Sequence, residues 1–193
     1  MKTSIFCLPI VMLTLLAGCG NGNDSVQQAN DSNQSKMDSP TTQSKISLNI
    51  SEADAKFMTS VANDGMTEVA LGKLAVEKSS NQKIKDFGNM MIKDHSAAGD
   101  DLKKIAVSKK VTLPDSLSES SKKDLDNLRK KKGKDFDKAY INEMVSGHEK
   151  VLKEFQDIQT NGSDSDLKVF VTQTIPIISH HLESAKTIKD EIK

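Results

Sequence analysis

From Ser51 onward, apolar side chains return every three or four residues in long runs, the period of an amphipathic helix rather than of a strand. Ser51, with Asp54 three residues on, has the form of a capping box and opens the first predicted helix. That helix runs to about residue 79 and carries Phe57, Val61, Val69, Ala75 and Val76 along one broad face. Ser79-Ser80-Asn81 breaks the pattern. A second helix follows, with Ile84, Phe87, Met91, Ala98, Leu102 and Ile105 on its stripe. Residues 111–121 hold Pro114 and several serines and read as a longer connection, after which a short charged helix over 122–132 ends at Gly133. The third long helix spans about 134–159, with Phe136, Tyr140, Met144, Val151, Phe155 and Ile158 aligned. Asn161-Gly162-Ser163 marks a stop and turn. The fourth helix, from about residue 165 to the end, aligns Leu167, Phe170, Thr174, Ile178, Ala185, Ile188 and Ile192.

This pattern predicts an all-α fold, an up-down four-helix bundle over 51–193 with a short extra helix in the connection between helices 2 and 3. About 143 residues suffice for one domain with its own core.

Upstream of Ser51 the pattern changes twice. Lys2 precedes an apolar run over 5–16, too short to span a bilayer, and Leu16-Ala17-Gly18-Cys19 closes it with the Leu-small-small-Cys form that resembles a lipobox. Residues 1–18 are therefore expected to be a signal peptide and Cys19 the lipidated residue, so that the membrane is a partner through an N-terminal lipid. Gly20, by resemblance to the sorting rule of enteric bacteria, directs the expectation to the outer membrane. Residues 19–50 are expected to form a tether: from 20 to about 45 they are mostly Asn, Gln, Ser, Asp and Thr, with a random-coil reach of about 25–30 Å.

With Cys7 in the signal segment and Cys19 lipidated, no thiol remains for a disulfide. The chain balances 27 basic residues against 27 acidic ones, with 4% aromatics and no Trp, which argues against nucleic acid as a partner.

Three of the four histidines fall on the apolar stripes: His95 between Met91 and Ala98, His148 between Met144 and Val151, His181 between Ile178 and Ala185. On the first helix Glu68 continues the register of Val61. At ~1.5 Å per residue Glu68 and His95 stand roughly 17 and 21 Å from their shared turn, and His148 and His181 roughly 20 and 24 Å from theirs. All four are thus expected near mid-bundle. Unpartnered buried polar groups are costly, on the order of 1–3 kcal/mol each, so the four must satisfy one another. One way is a transition-metal ion (Zn, Mn, Fe or Cu) bound by Glu68, His95, His148 and His181, with Asp94 and Tyr140 holding the ligands in place. The other is a hydrogen-bond network of the core histidines in a non-catalytic structural or interaction protein of the envelope, whose function lies on its surface. An enzyme with a His-bound metal is a third reading, and the sequence supplies no catalytic residue for it.

The segments Glu68-Val69-Ala70-Leu71-Gly72-Lys73-Leu74-Ala75, Met91-Ile92-Lys93-Asp94-His95, Phe136-Asp137-Lys138-Ala139-Tyr140, Gly147-His148-Glu149-Lys150 and Ile175-Pro176 through His181-Leu182 together resemble the family called domain of unknown function 4142. The resemblance covers about residues 53–188. It implies a ferritin-like four-helix bundle in an exported bacterial protein and brings no activity. Di-iron sites of that fold class place a carboxylate three residues before a His, and here those positions are Ile92, Val145 and Ile178. A carboxylate-bridged di-iron centre is therefore not expected.

Overall fold

A computed structural model describes residues 24–38 and 48–192 and builds them into six helices: α1 Ser25–Asp38, α2 Glu52–Lys78, α3 Gln82–Lys109, α4 Glu119–Arg129, α5 Gly133–Asn161 and α6 Ser165–Glu191. There is no strand among the described residues. The expected signal peptide, Cys19 and residues 39–47 of the expected tether lie outside them. No described helix is long and apolar enough to cross a membrane.

Helices α2, α3, α5 and α6 form the bundle: α2 packs on α3 and α5, and α6 on α5 and α3. Local chemistry fixes their ends. Ser51 Oγ accepts from the Asp54 N–H at 3.1 Å, and Asn81 and Asp164 cap α3 and α6 the same way. Asp54 does not complete the capping box. Its Oδ2 reaches the α5–α6 turn instead, accepting from the Ser163 amide at 3.0 Å, the Ser163 hydroxyl at 2.6 Å and the Asp164 amide at 3.1 Å. Lys109 closes the same end with ion pairs to Asp164 (2.6 Å) and Asp166 (2.8 Å).

The apolar interior divides into two clusters. One gathers Leu71, Phe87, Met91, Phe136, Tyr140 and Met144; the other gathers Met58, Leu102, Phe155, Leu167, Phe170 and Ile178. Each histidine stripe crosses from one cluster to the other at its His, so the three rings form a polar layer between two apolar halves.

The α2–α3 seam is not uniform. A Cβ added at Gly72 would come within 2.7 Å of the Gly88 carbonyl oxygen, and one at Gly88 within 2.8 Å of the Gly72 oxygen. The two backbones touch there, and only glycine permits it. Seven residues further, at Gly65, and eleven further, at Gly99, a Cβ would meet nothing within 4 Å. The seam is closed at Gly72 and Gly88 and leaves open space at Gly65 and Gly99.

Two elements differ from the sequence expectation. The short helix starts earlier, at Glu119, because Ser118 Oγ accepts from the Ser121 amide, and it ends at Arg129. More consequentially, residues 25–38 are not tether but α1, docked on α2 and on the connection after α3. Ala29 and Asn33 are buried there. Asn33 holds the backbone of Thr112 from both sides, Nδ2 donating to its carbonyl (2.9 Å) and Oδ1 accepting from its amide (2.7 Å). Asp24 accepts from the Val26 amide and from the Glu119 amide, capping α1 and α4 together.

Candidate metal centre

His95, His148 and His181 come from α3, α5 and α6, and each offers a ring nitrogen such that all three atoms lie within 4.8 Å of one another. Three atoms so spaced lie within about 2.8 Å of a common centre. Zinc–imidazole bonds are about 2.0–2.1 Å, so small rotations of the side chains close the gap. The ring centroids are 5.4 to 5.8 Å apart.

Hydrogen bonds assign the tautomers. His148 Nδ1 lies 2.8 Å from the Met144 carbonyl oxygen, which only accepts, so Nδ1 carries the proton and Nε2 keeps its lone pair. His181 Nε2 lies 3.0 Å from Asp94 Oδ2, which leaves the Nδ1 lone pair free by the same logic. His95 Nε2, His148 Nε2 and His181 Nδ1 are all sealed from solvent and have no hydrogen-bond partner among the described residues. The three nitrogens that lack partners belong to the three rings that converge.

Burial holds these rings neutral. It pushes His95 down to about 3, with His148 and His181 adding to the fall, and His148 down to about 4, with His181 adding. His181 is lowered by burial against the opposing pull of Asp94. Neutral imidazoles are the form that binds metal.

The structure gathers the histidines as the stripes predict, and it makes Asp94 the partner of one of them. Glu68 stands apart from the three-nitrogen set. Its Oε1 approaches Gly147, and its Oε2 is sealed and unpartnered among the described residues. Burial, then Glu143 and Asp64, push the Glu68 carboxyl up to about 8. Tyr140 is buried between Phe136 and Phe87, and no hydrogen bond joins it to a histidine. Burial and then Glu68 raise its hydroxyl well above its usual value. His180 is exposed. Pro176, inside α6, and Thr172 face outward as well.

A cavity of about 390 Å³ opens between α2 and α3 and ends on His95, His148 and Glu68. It explains why Glu68 and His95 are only half-buried as residues while their Oε2 and Nε2 atoms are sealed. The stripes gave no sign of it. The legible signal was Gly65 and Gly99, two mid-helix glycines with no turn to make.

A family model described as domain of unknown function (DUF4142) matches residues 39–188. Searches of curated proteins and of solved structures return no significant match.

Proposed function

We propose that this chain, which belongs to the DUF4142 family, binds one transition-metal ion through His95, His148 and His181 in a domain anchored to the cell envelope by a lipid on Cys19. The observation that carries the metal reading is the convergence of three rings, each offering a nitrogen within 4.8 Å of the other two and each holding a buried nitrogen with no hydrogen-bond partner among the described residues. A hydrogen-bond network, the competing reading, would pair those nitrogens with one another or with fixed donors. Instead the two histidine hydrogen bonds use His148 Nδ1 and His181 Nε2 and leave the other nitrogen of each ring free, the arrangement that orients a metal-bound imidazole and raises its basicity.

Three imidazoles suit zinc, copper or iron and leave a tetrahedral ion one open position. Glu68 lies on the cavity side as a carboxylic acid that a nearby dication would ionise. The sorting expectation from Gly20 gives the outer membrane as the anchorage.

The test is the metal content of the chain from Asp24 onward, purified without chelator or affinity-column metal. The expected result is about one equivalent, lost in a folded His95→Ala, His148→Ala, His181→Ala variant. A protein that contains none and rejects added Zn, Mn, Fe and Cu overturns the reading. Labelling with palmitate, present in the wild type and lost in Cys19→Ala, tests the anchor.

A further inference from the structure

We infer that the cavity between α2 and α3 is a binding site for an amphipathic monocarboxylate, its hydrocarbon chain along the seam and its head group toward His95, His148 and Glu68. The inference deepens the metal reading by naming what would occupy the ion's open side.

The cavity is chemically two-ended. Its walls are apolar over most of their length, with Val61, Leu102, Leu113, Val151, Phe155 and Phe170 among them. Glu68, His95 and His148 line its inner end, and their unpartnered atoms, Glu68 Oε2, His95 Nε2 and His148 Nε2, lie just behind that wall, within reach of a side-chain rotation. A mostly apolar space of this kind is poorly satisfied by water, which needs two to four polar partners. The ligand that matches both ends has one oxygen-bearing head and an apolar body. At about 30 Å³ for each methylene-sized group, 390 Å³ takes a chain of roughly ten carbons and its head. A carboxylate is favoured over an alcohol because it offers an anionic ligand to an ion held by the histidines.

The glycines are the second, independent observation. With Gly72 against Gly88, the antiparallel register sets Gly65 across from His95 and Gly99 across from Val61. Glycine at Gly72 and Gly88 is explained by contact. At Gly65 and Gly99 a Cβ meets nothing within 4 Å, so packing does not explain it. Both glycines line the cavity, and their missing side chains are what keeps its floor clear in front of His95.

The test uses the chain from Asp24 onward, which contains all six helices, and measures binding of decanoate and decanol by calorimetry with and without one equivalent of zinc. Gly65→Leu and Gly99→Leu project into the open space, and Ala98→Phe narrows the cavity from a different position. The expected result is binding of decanoate by the wild type, at least tenfold tighter than decanol with zinc present. A loss of at least tenfold is expected in all three variants while each still takes up zinc. Decanoate binding that the filling variants leave unchanged overturns the inference, as does a wild type that binds neither probe. If zinc fails to bind, the metal reading falls separately, and the cavity inference is then decided by the effect of the three variants on decanoate binding to the metal-free protein.

Discussion

His181 Nε2 and Asp94 Oδ2 lie 3.0 Å apart, joining α6 to α3 across the bundle and bracing the ring that meets His95 and His148. Asp94 is partly exposed while the ring it holds is buried, so the carboxylate works as an external brace on an internal group. Asp94→Asn keeps the shape but weakens the hold on the ring. Metal affinity, read by competition with a chromophoric chelator, should fall about 10–100-fold with little change in the thermal midpoint. An unchanged affinity would mean that His181 is not a ligand.

Glu68 predicts an alkaline weakness in the metal-free protein. Its folded value of about 8 stands above the ordinary 4.5, so between those values the folded state holds a proton that the unfolded state has released. Stability therefore declines as pH rises from about 4.5 to about 8. The loss should be on the order of 2 kcal/mol once water in the cavity is allowed for. Glu68→Gln removes the ionising group. Urea unfolding at pH 5 and pH 9 should show this part of the pH slope in the wild type and not in the variant.

The two kinds of glycine in the α2–α3 seam should respond oppositely to alanine. Gly72→Ala or Gly88→Ala forces the backbones apart and should cost about 1–3 kcal/mol. Gly65→Ala adds helix propensity in open space and should stabilise by about 0.5–1 kcal/mol. Denaturant midpoints of the three variants decide it, and a destabilised Gly65→Ala would contradict the open seam.

Asn33 is the residue that seats α1. Replacing it with Ala leaves the Thr112 amide and carbonyl without their partners, a penalty of about 1–3 kcal/mol confined to α1 docking. Limited proteolysis should then cut within residues 25–38 much faster than in the wild type, while α2 to α6 stay protected.

The bundle helices were legible because each carries an uninterrupted apolar stripe bounded by cap and turn residues. The three histidines were legible as interruptions of those stripes at matched heights. α1 was hidden for a physical reason: its buried face is Ala29 and Asn33, and Asn33 occupies a core position by bonding a backbone 79 residues away. Composition reads such a face as polar. Glu68 shared the right height, yet height along an axis does not fix direction around it: its Oε1 lies near Gly147, and the set of atoms within 4.8 Å of one another is that of the three histidines. The apolar stripes did not show the open stretch of the α2–α3 seam, since helix periodicity describes each helix singly and carries no distance between two.

The docking of α1 changes the length of leash available to the domain. A lipid on Cys19 would be joined to Asp24 by five peptide steps, which span no more than about 18 Å when fully extended. Asp24 is itself fastened to the first turn of α4 through the Glu119 amide. The anchored domain would therefore ride close against the lipid headgroups with its α4 end toward them, presenting one side to the membrane instead of tumbling freely above it.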